Sequence, residues 1–175
     1  MKKKSGGQVQ IYTGNGKGKT TAALGLCLRA LGRGYRICFI QFMKSGEYGE
    51  IKALKNFSKV TVKQYGLPGL IKVGQAKPED RRLANQAVQY AKVAMGSRNF
   101  DLIVLDEIIV AIYFKLISES EVIKMIKNKP KDLELVLTGR KASAKIINTA
   151  NLVSEIKEIK HYYQAGLKAR SGIEY

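Results

Sequence analysis

A glycine-rich loop between a short strand and a helix is the feature that most restricts the fold of this chain. Residues 14–21 read Gly-Asn-Gly-Lys-Gly-Lys-Thr-Thr, and they follow the strand-like run Val9–Thr13. A helical pattern over Lys19–Leu31 comes next and ends at Gly32. Glycines let backbone N–H groups approach an anion, and the helix N-terminus behind them adds partial positive charge. The arrangement therefore predicts a phosphate-binding loop in a nucleotide-binding α/β protein.

The residues of this loop have distinct predicted roles. Lys19 reaches phosphate oxygens and the Thr20 hydroxyl ligates Mg²⁺, as in other phosphate loops. The spacing departs from the usual pattern by one place, because Thr13 stands where the first glycine is expected and Gly14 follows it. The whole predicted nucleotide-binding set is Gly14, Asn15, Gly16, Lys17, Gly18, Lys19, Thr20 and Thr21.

Strand-like and helix-like segments alternate along the rest of the chain. Further strands are predicted at Tyr35–Phe42, Val60–Tyr65, Asp101–Asp106, Leu133–Leu137 and Leu152–Ile156, and further helices at Pro78–Gly96, Ser118–Ile126 and Ala142–Ala150. A capping box, Ser118-Glu-Ser-Glu121, marks the start of the second of these helices. This alternation predicts right-handed crossovers and a mainly parallel sheet with helices on both faces. We expect one domain over residues 1–175, with 1–7 as a basic, flexible N-terminus.

Three motifs fall at the C-terminal ends of predicted strands, the edge at which such sheets bind ligands. The phosphate loop is one, and the carboxylates Asp106 and Glu107 are the second. Mg²⁺ prefers oxygen ligands, so one of these carboxylates and Thr20 are predicted to hold it, directly or through water. The third motif carries Arg140, which can clamp phosphate. Arg29, about two and a half turns beyond Thr20, is a weaker candidate for phosphate contact.

Composition limits the remaining classes of function. The net charge of +17 favours polyanionic partners, but the lysines are scattered along the chain. The only histidine, His161, has no reactive partner that would support acyl transfer. Cys27 and Cys38 lie in apolar runs and are predicted to be buried thiols in a reducing cytosol. No apolar run reaches the ~20 residues of a membrane span, and no signal peptide is expected, so we predict a cytoplasmic protein without a membrane partner.

The order of several motifs resembles the corrinoid (cob(I)alamin) adenosyltransferases of the bacterial and archaeal P-loop type. The segments that carry the resemblance cover about residues 8–175 and are Thr13–Ala23, Gln41–Lys44 with Gly49-Glu50, Leu105–Glu107, Val136–Arg140, Ala150–Glu155, Ile159–His161, Ala165–Arg170 and Gly172–Tyr175. Taken singly these motifs are moderately specific. Their common order and spacing are highly specific.

The resemblance implies a RecA-like fold, a homodimer and a defined reaction. ATP and a Co(I) corrinoid such as cob(I)alamin give the adenosyl corrinoid and inorganic triphosphate, with a flavoprotein or another reductant supplying Co(I). ATP lies reversed relative to ordinary P-loop enzymes in this family. Catalysis then consists of alignment and neutralisation of charge on the triphosphate. Lys19, Lys17 and Arg140 supply the positive charge, with Mg²⁺ on Thr20 and Glu107 (Mn²⁺ as an alternative metal).

The chain departs from the resembled family in two places. Members usually carry Phe and Trp near the corrinoid, where this chain has Gly66–Gly74 with Leu67, Leu70 and Ile71, and it contains no Trp. Tyr65 is the only aromatic residue close to that segment. After Asp106-Glu107 members show a polar or aromatic pair, whereas this chain has the apolar run 108–110.

Two other functions stay open on the sequence. A RecA-like P-loop ATPase or nucleic-acid-binding protein fits the phosphate loop and the charge. However, basic and aromatic residues do not interleave as on a nucleic-acid face, so nucleic acid is not expected as a partner. A binding module that has lost the transfer activity is the other alternative, because the expected aromatics are missing.

Overall fold

The computed structural model describes residues 6–69, 71 and 74–175. Within them the strands are β1 (Val9–Thr13), β2 (Ile37–Phe42), β3 (Val60–Tyr65), β4 (Leu102–Asp106), β5 (Glu134–Thr138) and β6 (Leu152–Glu155). They form one six-stranded sheet in the order β3-β2-β4-β5-β1-β6. Every neighbouring pair is parallel. The predicted α/β fold with a mainly parallel sheet is confirmed.

Helices cover both faces of the sheet. They are α1 (Lys19–Leu31), α2 (Gly49–Lys55), α3 (Pro78–Gly96), α4 (Ile108–Tyr113), α5 (Glu119–Lys127) and α6 (Ala144–Ile147), followed by a 3₁₀ helix, Tyr162–Ala165. On one face, α1 and α2 bury residues such as Ala23 and Leu54 against Phe39 and Val104. On the other face, helices α3 to α6 pack against alternate residues of the same strands. The expectation of helices on both faces is confirmed.

The two cysteines lie in these two different cores. Cys27 belongs to the cluster under α1, and Cys38 to the cluster under α3. Both are free and fully buried, and burial raises the pKa of each thiol to about 12. The thiols therefore serve as small apolar core groups, as the sequence predicts.

Several predicted bounds needed correction. The predicted helix 142–150 is confined to α6, and β2, β4 and β5 each begin one or two residues later than expected. The capping box at Ser118 is wrong, because Ser118 Oγ contacts Ser120 Oγ at 2.7 Å instead of capping the backbone. Residues 1–5 of the predicted flexible N-terminus lie outside the described residues. Gly7, at its end, donates a backbone hydrogen bond of 2.7 Å to Lys131 O.

Two short helices, α2 and α4, were not predicted. The sequence of α4 is Ile-Ile-Val-Ala-Ile-Tyr, which has the β-branched residues typical of a strand. Its apolar side chains are instead buried against the sheet, with Ile108, Ile109 and Ala111 at most 1% exposed. Burial in the tertiary structure therefore outweighs local propensity here.

The buried strand β4 should control the stability of the whole sheet. Leu105 is 0% exposed at the centre of the sheet. We expect Leu105→Ala to lower the free energy of unfolding by about 2–5 kcal/mol, because it leaves a cavity in a packed core. Urea unfolding followed by circular dichroism measures this change.

The matched control is Val93→Ala on α3, since Val93 is 69% exposed. It should change the free energy of unfolding by no more than about 0.5 kcal/mol. Equal losses for the two variants would contradict the assignment of β4 to the centre of the sheet.

Candidate functional site

The phosphate loop is folded against the segment that follows β6. Gly16 N–H donates a 2.8 Å hydrogen bond to Ile156 O. Gly14 has φ 97°, and a Cβ at this position would lie 2.4 Å from Ile156 O. A Cβ on Gly16 would lie 2.7 Å from Lys157 O. Both positions therefore require glycine, because the neighbouring backbone leaves no space for a side chain.

The shifted glycine has a structural reason. Thr13, where the usual pattern has glycine, is the last residue of β1 and pairs with Glu155 of β6. Its side chain is buried. The strand thus continues one residue further than the usual spacing allows, and the turn begins at Gly14. Gly18, at the other end of the loop, has φ 119°, and a Cβ there would meet no atom within 4 Å, so this position faces open space.

Lys19 begins α1 directly behind the loop. Its side chain is 6% exposed, and Nζ donates a 2.6 Å hydrogen bond to Gly16 O. Burial lowers the pKa of Lys19, and repulsion from Arg140 lowers it further, while Glu107 and Asp106 oppose that change. The ammonium group therefore lies close to the loop backbone. An anion bound there would offset the desolvation cost of the ammonium and its repulsion from Arg140.

Asp106 is the most enclosed charged residue of the site, at 0% exposure. Its Oδ1 accepts 2.8 Å hydrogen bonds from Thr20 Oγ1 and Thr138 Oγ1. Its Oδ2 accepts from Gln41 Nε2 at 3.2 Å and Lys44 Nζ at 3.0 Å. The carboxylate thereby ties together the ends of β2, β4, β5 and the start of α1. A buried carboxylate requires such donors, because water is not there to solvate it.

Lys44 was not among the predicted site residues, although the sequence places it just beyond the end of β2. Burial lowers the pKa of its ammonium, but Asp106 and Glu107 more than offset this and the net direction is upward. The backbone at Gly66 passes close to Lys44, because a Cβ on Gly66 would lie 2.3 Å from Lys44 N, so this position requires glycine. The sequence signal that could have identified Lys44 is the polar run 44–47, which follows the C-terminal end of the buried strand β2.

Glu107 directs its carboxylate toward the cavity rather than into the Asp106 network. It is the N-cap residue immediately before α4, with φ 63°, and its N–H donates a 3.0 Å hydrogen bond to Thr138 Oγ1. Burial raises the pKa of Glu107, and the neighbouring Asp106 raises it further. A left-handed backbone at a non-glycine residue is uncommon and clusters at functional sites. Of the two carboxylates, Glu107 is therefore the one placed to meet a ligand.

Lys19, Lys44 and Glu107 line a cavity of about 450 Å³. Its lining brings together most of the predicted residues, namely Gly16, Lys17, Gly18, Lys19, Thr20, Thr21, Glu107 and Arg140. Gly139 precedes Arg140 with φ 141°, and a Cβ there would lie 2.8 Å from Ile109 Cβ, so the chain passes tightly over α4. The volume is in the range of small-molecule sites.

Three predicted residues do not line this cavity. Gly14 and Asn15 belong to the loop but stand outside the lining. Arg29 is exposed near the C-terminal end of α1 and borders a different cavity, with Arg33 and Glu134. Arg29 lies nine positions beyond Thr20 along the helix, a rise of about 14 Å. The structure therefore does not bring Arg29 to the predicted phosphate site.

The oxygen donors of the site fit a hard divalent cation. Thr20 and Glu107 line the cavity with one hydroxyl and one carboxylate, and Asp106 accepts the hydrogen bond of that hydroxyl. Among the described residues no group of three or more His, Cys, Asp or Glu side chains converges. Mg²⁺ commonly uses one or two carboxylates with phosphate and water oxygens, and does not need an all-protein cage.

The segment Gly66–Gly74, where the chain departs from the resembled family, is only partly described. Leu70 lies outside the described residues, as do residues 72 and 73. Leu67 is half-buried, and Ile71 packs against the core under α3. The ring of Tyr65 lies 6.1 Å from that of Tyr90. In the part of the chain that the structure covers, no helix is long and apolar enough to cross a membrane.

The C-terminal residues were also missed as part of the site. His161 and the four residues 172–175 line the cavity beside the phosphate loop. Their only sequence signal was their place in the order of motifs, which carried no assigned chemical role. Only the folded chain shows that residues 17 and 174, far apart in sequence, are in contact.

Comparison with known proteins gives a consistent result. The family model described as ATP:corrinoid adenosyltransferase BtuR/CobO/CobP matches residues 5–175. The corrinoid adenosyltransferase of Escherichia coli (strain K12) is 32% identical over 170 residues, which cover 97% of this chain and 86% of that protein.

Two further relatives have the same coverage of this chain. The corrinoid adenosyltransferase of Sinorhizobium sp. is 33% identical over 172 residues, covering 97% of this chain and 80% of that protein. Corrinoid adenosyltransferase CobA of Salmonella typhimurium (strain LT2) is 32% identical over 170 residues, covering 97% and 86%.

The Thr138 hydroxyl should be essential for the stability of the Asp106 network. Thr138→Val removes a donor to Asp106 and the acceptor of Glu107 N–H, both in a buried setting. We expect it to lower the free energy of unfolding by about 1–3 kcal/mol, because buried polar groups lose their partners. Urea unfolding measures the loss. Thr61→Val, on the edge strand β3, is the matched control, and an equal loss there would contradict the prediction.

Proposed function

The chain belongs to the ATP:corrinoid adenosyltransferase family, and we propose that the cavity beside its phosphate loop binds ATP, with Mg²⁺, for transfer of the adenosyl group to a reduced corrinoid. The observation that carries this proposal is the contact of Thr20 with Asp106 beneath a loop backed by Lys19. The contact joins a phosphate loop to a carboxylate at the end of a strand, as nucleotide binding with a divalent cation requires.

The reaction needs little covalent help from the protein. The nucleophile is Co(I) of the corrinoid, which is the substrate, so no general base is required. A Co–C bond forms at the ribose 5′ carbon, the C5′–O bond breaks, and its electron pair leaves with the triphosphate. The chain must therefore hold the ATP in line with the corrinoid and stabilise charge on the leaving triphosphate.

The cations around the cavity are suited to that task. Lys19, Lys17 and Arg140 line it together. Lys19 is held against the loop backbone by Gly16 O, and binding of a phosphate oxygen relieves its repulsion from Arg140. Such donors act most strongly when they are positioned before charge develops.

A divalent cation would be held by Thr20 and Glu107, with Asp106 orienting the Thr20 hydroxyl. When bound, Mg²⁺ neutralises charge on the phosphates as a Lewis acid. The first glycine of the loop, Gly14, comes one residue later than in the usual pattern. This shortened spacing accords with the reversed ATP of the resembled family, in which the ribose-side phosphate lies at the loop.

Three further features belong to the same proposal. A flavoprotein or another reductant supplies Co(I), the protein acts as a homodimer, and it works in the cytoplasm. The reduced thiols Cys27 and Cys38 are compatible with a reducing compartment.

Removal of the Lys19 charge should impair transfer. We expect Lys19→Met to lower kcat/KM by roughly 10²- to 10³-fold. The variant loses the preorganised positive charge that stabilises the leaving triphosphate. The assay follows Co(I) consumption spectroscopically with ATP and Mg²⁺. Lys127→Met, an exposed lysine of α5, is the control and should behave as wild type. Hydrolysis of ATP to ADP at a useful rate without corrinoid would overturn the proposed function in favour of an ATPase.

Glu107 and Glu50 provide a test of the metal site, because both carboxylates line the cavity. Glu107→Gln should raise the Mg²⁺ concentration for half-maximal activity by about tenfold or more, because the variant loses a carboxylate that holds the metal. Binding of Mn²⁺ with ATP, followed by electron paramagnetic resonance without corrinoid, should weaken in parallel. If Glu50→Gln weakens Mn²⁺ binding and Glu107→Gln does not, the metal ligand has been assigned wrongly.

A further inference from the structure

The C-terminal segment returns to the phosphate loop and places a carboxylate there. Residues 172–175 line the same cavity as Lys17 and Lys19. Glu174 Oε1 lies 2.7 Å from Lys17 Nζ, and only 16% of its side chain is exposed. The contact therefore places an anion of the chain itself on a cation of the phosphate loop.

Four kinds of donor converge on this carboxylate. Lys17 Nζ donates to Oε1, as does the Tyr162 hydroxyl. Arg170 donates to Oε2 through its backbone N–H at 2.7 Å and through Nε at 3.3 Å, and its Nη2 reaches Oε1 at 3.3 Å. Lys17 also donates to the Tyr162 hydroxyl at 2.6 Å. Together the donors form a site built for an oxyanion, with charge and geometry that also suit phosphate.

The aromatic ring of Tyr162 fixes the two cations around this site. Lys17 Nζ lies 5.3 Å from the ring centroid, and the Arg170 guanidinium carbon lies 5.0 Å from it. Cation–π contacts of this kind hold both groups without using their hydrogen-bond donors. Besides its bonds to the Tyr162 hydroxyl and Ile173 O, Lys17 donates to the Glu174 carboxylate, and Arg170 donates to the same carboxylate.

The electrostatics agree with a site that demands a negative charge. Arg170, Lys17 and Tyr162 all lower the pKa of Glu174, with the Arg170 hydrogen bond first. The hydrogen bonds that Lys17 and Arg170 donate to Glu174 in turn raise the pKa of both cations. If Glu174 left, two cations would be brought together without a counter-ion, and a phosphate is the anion that the proposed substrate offers.

We propose that Lys17, Tyr162 and Arg170 form a subsite for one phosphate of the triphosphate, other than the one that contacts Lys19, and that the Glu174 carboxylate occupies it in the free protein. Glu174 borders the cavity, whereas Tyr162 and Arg170 contact its carboxylate from outside the lining. Departure of the carboxylate opens these donors to the cavity. The inference rests on the proposed function, because it assumes that this cavity binds ATP.

The consequence is a competition between Glu174 and the triphosphate for the same donors. Glu174→Gln removes the competing charge and leaves the subsite donors in place. We expect it to tighten binding of inorganic tripolyphosphate by about threefold to fivefold, the range of a partly exposed ion pair. Isothermal titration calorimetry with tripolyphosphate and no corrinoid measures this, and thermal unfolding confirms that each variant is folded.

A second variant tests whether Arg170 contacts phosphate or only holds the Glu174 carboxylate. Arg170→Gln is added to Glu174→Gln, where Arg170 no longer has a carboxylate to hold. The double variant should bind tripolyphosphate at least as weakly as wild type if Arg170 contacts phosphate. Equal affinity of the double variant and Glu174→Gln would overturn the subsite.

Glu158→Gln is the matched control for charge. Glu158 is exposed, accepts a 2.7 Å hydrogen bond from Gln164 Nε2 and contributes to the electrostatics of Lys19 without contacting Lys17. If it tightens binding as much as Glu174→Gln, the effect is long-range and the subsite is wrong. If wild type binds ATP and tripolyphosphate but no variant differs, only the subsite fails. If wild type binds neither, the proposed function fails as well.

Discussion

The buried carboxylate of Asp106 is the constraint on which the arrangement of the site depends. It is fully enclosed and accepts hydrogen bonds from four side chains, those of Thr20, Gln41, Lys44 and Thr138. These donors come from the start of α1 and the ends of β2 and β5, so a single charge fixes the relative positions of three elements. The cost of burying a carboxylate is offset only if all these elements are in place. The requirement makes the edge of the sheet rigid before any ligand binds.

The two adjacent carboxylates, Asp106 and Glu107, have different roles. Asp106 is saturated with donors and acts within the protein, whereas Glu107 turns into the cavity on a left-handed backbone. The same turn lets Thr138 bind both residues, because its hydroxyl donates to Asp106 and accepts from Glu107 N–H. A family that transfers an adenosyl group needs aligned charge more than it needs a base. In the function proposed above, the fixed edge of the sheet supplies this alignment.

The two lysines of the phosphate loop, Lys17 and Lys19, have different contacts. Lys19 is buried against the loop backbone, whereas Lys17 reaches outward to the C-terminal segment. The loop is therefore braced from two sides by the chain that follows β6, through Ile156 at its start and Glu174 at its centre. The chain that follows β6 thus completes a site whose phosphate loop lies near the start of the sequence.

Local patterns were enough to predict the phosphate loop, the alternation of strands and helices, and the gathering of Gly14–Thr21, Asp106-Glu107 and Arg140 at one edge. Glycine spacing, apolar runs and strand polarity can be read from neighbouring residues, so these features need no tertiary information. The same patterns could not identify α4 as a helix, since its β-branched residues favour a strand until they are buried. The internal position of Asp106, the cavity-facing position of Glu107 and the contact of Lys17 with Glu174 became visible only in the folded chain. Each of these depends on contacts between residues distant in sequence, and no local pattern encodes them.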